Sequence, residues 1–403
     1  MSSPVRLIED TAALVAVAAR ASRGSRVAVD VESNGLFAYR GALCVLQIAW
    51  IEDEDEGDHE IQVAIVDTLA VPVAPLAPLL GEGGPIKVLH DLSFDAQMLA
   101  AAGAPLGRAR DTSVAARLLG RKATGLGALL EAELGVRHDK SLQQHDWARR
   151  PLGAAEIDYL AGDVRHLLAL DDALRRHAEE IDITAEIADE CAYKLASAGS
   201  PRPKARPGWT RIKGVAALDA VGMSAARRLW AARELAAERE DVPPFKVVSN
   251  EVLLDLSQRR PTSIEALRAV RGASAGLAGK HVEAWLAAIA GARDEELSAE
   301  DRAALSPEPP RREEIARRRA RETQVSGWRR AEAKRRGVDP QVVLPGHCAD
   351  EVVLLLTAHD ARGGGDAGPL REEIARIPGL GARRLERYGE ALAALGSVSR
   401  GHP

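Results

Sequence analysis

Four acidic residues and one tyrosine have the types and spacing to do chemistry together. In Val27-Ala28-Val29-Asp30-Val31-Glu32, side chains of an extended chain point alternately to opposite faces. Val27, Val29 and Val31 therefore share one face, and Asp30 and Glu32 lie side by side on the other. Two carboxylates held together at the end of a buried strand repel one another, and burying them is costly. A divalent cation removes that penalty, and Mg2+ favours a few carboxylates plus water and phosphate oxygens. Leu89-His90-Asp91-Leu92-Ser93-Phe94-Asp95 reads as a strand end running into a helix, with Asp95 in the first turn. The same position also suits an acid that favours the helix dipole. In Tyr159-Leu160-Ala161-Gly162-Asp163 the i, i+4 spacing puts Tyr159 and Asp163 on one helix face. That face borders the apolar stripe Ile157, Leu160, Val164, Leu167 and Leu168, so Asp163 can face a cleft at the edge of the core.

The elements that must carry these residues are legible from periodicity. Asp10 to Ala21 has a helical pattern. Arg26–Glu32, Leu43–Ile51, Ile61–Asp67 and Ile86–His90 read as strands, and Ser93–Ala101 as a helix. Strands in series followed by alternating strands and helices predict a mixed sheet flanked by helices. Between two strands, seven acids fall among the nine residues from Glu52 to Glu60. Like charges with no apolar anchor predict a solvated turn there rather than a cation site. From Ala154 onward the pattern is almost wholly helical. Ser197 to Gly214, rich in Pro, Gly, Lys and Arg, and Ala299 to Arg312, with three prolines, read as linkers around two helical blocks.

Composition narrows the class. Of the 403 residues, 46% are hydrophobic and 28% charged, an ordinary balance for a folded soluble chain. No stretch approaches the ~18 apolar residues of a membrane span, and Met1 to Ile8 lacks the pattern of a signal peptide. Cys44, Cys191 and Cys348 are odd in number and unpaired in spacing, which suits a reducing cytoplasm better than a zinc site or a disulfide framework. The net charge of −5 excludes a generally basic coat for nucleic acid, but the charge is uneven. Between Arg311 and Arg336 there are eleven basic and four acidic residues, read either as a solvated helix face or as a nucleic-acid contact.

Taken together, Asp-x-Glu on a first strand, Asp on a later helix and Tyr-x-x-x-Asp on a final helix resemble the DEDD exonuclease superfamily, tyrosine subgroup. The histidine subgroup would place His where Asp158 stands. Asp111-Thr112, Asp139-Lys140-Ser141 and Trp147-Ala148-Arg149-Arg150-Pro151-Leu152 are similar to ribonuclease D, and the resemblance runs from about Val5 to Ser397. It implies an α/β ribonuclease H-like exonuclease domain (residues 1–196), a linker (197–214), an all-α HRDC helical bundle (215–295), a second linker (296–312) and a second HRDC bundle (313–398). In the second bundle, Ile377-Pro378-Gly379-Leu380-Gly381 resembles the end of an HRDC domain, where Gly379 and Gly381 permit a tight turn with exposed amides. In the first, Phe245 to Glu251 has the HRDC look, and Arg271-Gly272-Ala273-Ser274 stands at the turn without Gly-x-Gly.

The resemblance further implies a 3′→5′ exonuclease that releases nucleoside 5′-monophosphates from single-stranded RNA 3′ ends, as in trimming tRNA-like precursors. It would be a cytoplasmic monomer using two divalent ions, Mg2+ or Mn2+. Asp30, Glu32 and Asp163 would hold the ion beside the attacking water; Asp30 would bridge to the second, with Asp95 acting on it through water. Tyr159 would orient the attacking water, since a phenol with a pKa of about 10 is a poor base at neutral pH. Leu36 and Tyr39 would contact the terminal base or simply pack their loop. Arg149 and Arg150 would meet phosphates, and Trp147 would either stack on a base or fill the core. Two other readings fit part of the pattern, a 3′→5′ DNA exonuclease and a non-catalytic nucleic-acid-binding protein with HRDC modules. No Gly-x-x-x-x-Gly-Lys-Ser/Thr loop is present, so an ATP-driven helicase is excluded.

Overall fold

A computed structural model describes residues 5–51, 60–200, 207–293, 295–305, 312–363 and 367–397 of the chain. The acidic run expected to form a turn, Glu52 to His59, lies outside the described residues. The chain divides into two compact units. One comprises residues 1–32, 43–200 and 311–403, and the other residues 33–42 and 201–310.

The first unit is built on six strands, β1 (Val5–Ile8), β2 (Arg26–Ser33), β3 (Leu43–Ile51), β4 (Ile61–Asp67), β5 (Ile86–Leu89) and β6 (Ala109–Asp111), in the order β1-β4-β3-β2-β5-β6. β3 and β4 are antiparallel, with Gln47 opposite Ile65, whereas β1 with β4, β2 with β5 and β5 with β6 run parallel. The sheet is thus mixed, as the strand pattern predicts. The short strands β1 and β6 are not legible in the sequence, because three or four residues show too little alternation to register.

Helices α1 (Thr11–Ala21), α2 (Ala77–Leu80) and α3 (Ser93–Ala101) follow in sequence. Val27, Val29 and Val31 pack with Leu14, Val17, Ala96 and Leu99 in one core. Helices α4 (Thr112–Leu118), α5 (Leu126–Leu134), α6 (Ala154–Arg165), α7 (Leu167–Glu180) and α8 (Thr184–Gly199) complete the domain. Ala28 belongs to the opposite core, with Leu160, Val164, Leu167 and Trp147. The β2 alternation therefore works as read, with its valines buried toward α1 and α3 and its acids directed to the side of α6.

In the second unit, α9 (Ala220–Glu240), α10 (Pro244–Val247), α11 (Asn250–Arg259), α12 (Ile264–Arg268), α13 (Val282–Gly291) and α14 (Ala299–Leu305) form a helical bundle. Trp209 and Ile212, expected in the linker, are buried in its core with Leu229, Leu256 and Trp285, so that core begins before residue 215. Residues 33–42 pack on the same bundle. The Tyr39 amide donates to Asp241 Oδ1 at 3.1 Å, and Lys246 Nζ lies 4.4 Å from the centre of the Phe37 ring.

The last helical block, α15 (Arg312–Arg336), α16 (Pro340–Val343), α17 (Gly346–Ala361), α18 (Ala367–Ala375) and α19 (Ala382–Ala394), belongs to the first unit. It has its own core around Val325, Leu356, Tyr388 and Leu392. Val342 of α16 joins Val114, Leu118, Ile183 and Cys191 of the exonuclease domain, and arginines of α19 clasp the start of α8. The sequence suggests a separate C-terminal module; the block is instead seated on α7 and α8.

Candidate active site

Two elements bring three of the four acids together. β2 carries Asp30 and Glu32 at its C-terminal end, and α6 presents Asp163 one turn after Tyr159. One ligand oxygen from each of Asp30, Glu32 and Asp163 lies within 4.8 Å of the others. Asp95 sits in the first turn of α3 and is 5% exposed. Its approach is shaped by the turn before α3. Asp91 adopts a left-handed φ of 66°, a conformation uncommon outside glycine but better tolerated by aspartate than by most residues. The amides of Asp91 and Leu92 donate to the two oxygens of Asp111 at 3.0 and 3.1 Å. Lys194 of α8 bridges Asp91 and Asp111, with Nζ 2.6 Å from each. Asp111 also caps α4. Burial alone would raise its carboxyl; the Lys194 ammonium and the donors around it outweigh burial and hold it below the ordinary range.

The acid cluster shows the opposite balance. Loss of solvation, then the charges of Asp95, Asp163 and Glu32, push Asp30 well above the usual carboxylate range. Burial and then Asp163 raise Glu32 to about 8. Asp95 is raised well above its ordinary value by burial and by Asp111, Asp91 and Glu32. Burial also raises Asp163, against the opposing influence of the neighbouring His138 imidazole. Buried acids this close are stable as anions only when a cation joins them. Asp95 Oδ2 and Asp163 Oδ2 are buried without a hydrogen-bond partner, as an oxygen that ligates a metal would be. The donor set is all oxygen and suits a hard divalent ion. Tyr159 is 6% exposed and its phenol is pushed up, by burial first and then by Asp163 and Glu32. It keeps its proton at neutral pH and is available as a hydrogen-bond donor.

Around Tyr159 the structure arranges a row of rings that sequence reasoning finds only in part. Trp147 is 1% exposed, with its ring centre 5.7 Å from that of Tyr159 and 4.8 Å from that of His145. Of its two open readings, core is the observed one. On the other side, the His138 ring centre is 6.3 Å from Tyr159 and its Nε2 is 3.2 Å from Asp163 Oδ1. Sequence reasoning misses His138, because it lies in an irregular segment with no period to assign its direction. It misses Lys194 as well, because a helical period on α8 does not say which distant loop that face meets.

Several expected nucleic-acid contacts are engaged elsewhere. Arg150 donates to Asp67 at 2.7 Å, to the Cys44 carbonyl at 2.9 Å and to the Trp147 carbonyl at 2.7 Å. It ties the Trp147 segment to the sheet instead of offering its guanidinium to phosphate. Tyr39 packs on the helical bundle of the second unit. Gly379 and Gly381 do adopt positive φ, 79° and 78°. They let the turn press on α8, however: a Cβ at Gly379 would lie 2.7 Å from the Tyr193 ring, and one at Gly381 would overlap the Asp189 carboxylate. The turn serves packing within the chain rather than an open amide site. Arg149, with its side chain 75% exposed, and Leu36, 49% exposed, face solvent.

Comparison with known proteins gives the family. A family model described as 3′-5′ exonuclease matches residues 5–179, and an HRDC domain model matches residues 223–289. Ribonuclease D of Acidiphilium cryptum is 32% identical over 315 residues, covering 75% of this chain and 77% of that protein. The chain belongs to the ribonuclease D family. Ribonuclease D of Gluconacetobacter diazotrophicus is 32% identical, covering 71% of this chain and 72% of its own. The solved structure of Escherichia coli RNase D, described as an exoribonuclease involved in structured RNA processing, shares the fold with a TM-score of 0.65 and 20% identity, over 99% of this chain and 100% of that one. As a member of the ribonuclease D family, this protein is a hydrolytic 3′→5′ exoribonuclease, with an exonuclease domain of mixed sheet flanked by helices followed by a helical HRDC domain. The HRDC match falls on the first helical block, the one whose turn lacks Gly-x-Gly.

Proposed function

We propose that the enzyme removes nucleoside 5′-monophosphates one at a time from the 3′ ends of single-stranded RNA, including tRNA-like precursors, with two Mg2+ or Mn2+ ions at Asp30, Glu32, Asp95 and Asp163. The observation that carries this is the convergence of Asp30, Glu32 and Asp163 within 4.8 Å, uncompensated by any lysine or arginine ion pair among the described residues. When bound, the ions activate water and stabilise both the attacking and the leaving oxygen of an in-line displacement. Asp30, Glu32 and Asp163 would hold the ions, with Asp95 beside them. The Tyr159 hydroxyl orients the attacking water by hydrogen bonding. Water adds to the terminal phosphorus, the P–O3′ bond breaks, and the shortened chain leaves with its 3′-oxygen protonated.

Arg149 of the first unit is the exposed candidate for contact with the incoming strand. The last block, residues 313–398, is taken as a second HRDC domain, and the enzyme as a cytoplasmic monomer. Matched RNA and DNA substrates with 3′ overhangs, each 5′-labelled, test this reading. Stepwise shortening of RNA, with circular RNA intact, is the expected result. Faster degradation of DNA would replace the substrate, and cutting of circles would replace the exonucleolytic mode.

A further inference from the structure

Asp163 is not held alone. His138 Nε2 lies 3.2 Å from its Oδ1, with the two side chains 7% and 9% exposed. The other oxygen, Oδ2, is buried without a partner. The ligand atoms that converge belong to Asp30, Glu32 and Asp163 and do not include the imidazole, so His138 stands behind the carboxylate. A carboxylate on a helix can rotate about its last bond, and each rotation moves its oxygens off a ligand position. A donor fixed on one oxygen stops that rotation and leaves the other aimed one way. Here it comes from the irregular segment after α5, which ends at Gly135 in a left-handed C-cap with φ 68°. The Tyr159 ring, 6.3 Å from His138 and 5.7 Å from Trp147, packs between the two. The segment carrying His138 is thereby placed against the face of α6 that holds both Tyr159 and Asp163.

We propose that His138 is a positioning residue for Asp163, donating Nε2–H to Oδ1 so that Oδ2 alone is presented to a divalent ion. The inference rests on the metal reading of the site and adds a residue to it. Groups behind a metal ligand, when replaced, commonly cost about 10- to 100-fold in metal affinity or activity.

The test is Mn2+ titration of the full-length protein without RNA, by calorimetry and by electron paramagnetic resonance, beside steady-state kinetics. His138→Leu should weaken the tighter ion by about 10- to 100-fold. Its kcat should fall at limiting Mn2+ and recover at high Mn2+, with KM for RNA unchanged. His138→Gln, which places an amide N–H near the Nε2 position, should restore most of the affinity. Should the Leu variant not fold by circular dichroism, His138→Asn replaces it, polar but too short to reach Asp163. Wild-type affinity in the Leu or Asn variant overturns the proposal, and so does equal impairment in Gln and Leu, which would mean that shape alone matters. A wild-type protein that binds no Mn2+ would instead overturn the metal reading beneath it.

Discussion

Two groups of acids in the first unit face opposite fates. At the junction of α7 and α8, Asp182 meets Arg383 at 2.6 Å, Glu186 meets Arg387 at 3.0 Å and Arg336 at 3.6 Å, and Glu190 lies 3.7 Å from Arg117. Arg384, fully buried, donates to the Glu186 carbonyl and to that of Val342. Asp182 is held below its ordinary value by its arginine hydrogen bonds. At the end of β2 and on α6 and α3, Asp30, Glu32, Asp95 and Asp163 form no arginine or lysine ion pair among the described residues and are all pushed upward. A cluster that serves docking brings its own countercharge. A cluster that serves chemistry leaves the countercharge to a ligand, and the repulsion that the free protein carries is what makes binding favourable.

The largest expected effect separates the groups outright. Asp30→Asn or Asp163→Asn should take hydrolysis below detection while circular dichroism stays native, since each removes a proposed metal ligand and a repulsion at once. EDTA should do the same to the wild type; normal turnover in saturating EDTA would erase the distinction. Tyr159→Phe comes next. Loss of one positioned hydrogen bond should lower kcat by about 10² to 10³ with KM nearly unchanged, and wild-type turnover would reduce the ring to packing.

On the docking side, an Arg336→Ala, Arg387→Ala double variant leaves Glu186, 0% exposed, without its cations. A buried charge stripped of its partners costs about 3–5 kcal/mol, read as a shift of the urea midpoint. An unchanged midpoint would show that the clasp contributes nothing. For the same reason, truncation after Ser200 would not yield a clean catalytic domain. It uncovers Val114, Leu118 and Ile183 and strands Glu186.

Titration should sharpen the contrast through its sign. Glu32 moves from 4.5 unfolded to about 8 folded, so the folded state keeps its proton longer. Its favourable contribution is complete below pH 4.5 and is lost as pH rises toward 8. Asp111 is shifted down; its contribution is present above its unfolded value of 3.8 and is lost as pH falls through the folded one. Metal-free thermal midpoints should therefore decline between about pH 4.5 and 8, and saturating Mg2+ should flatten that decline. A decline that persists in Mg2+ would assign it to other groups.

The smallest effect concerns α15. Arg317, Arg318 and Arg319 are exposed, and reversing them should lower the log–log salt slope of RNA binding by about 0.7 for each phosphate they no longer neutralise. An equal slope would leave this face to solvent.

Sequence alone singled out the acids proposed for catalysis, because strand and helix periods dictate which side chains share a face. Asp30 with Glu32 and Tyr159 with Asp163 needed only spacings of two and four, and the longer strands followed from the same patterning. The identity of the family rested on those residues plus their order. Only the tertiary structure decided what lies behind them. His138 meets Asp163 and Lys194 meets Asp111 across 25 and 83 residues of chain, and no local period encodes such a meeting. It also reassigned Arg150, Gly379 and Gly381 from nucleic acid to the protein's own sheet and α8. An arginine or a glycine turn has the same local form whether its partner is a phosphate or a folded neighbour, and only packing decides which of them fills the space.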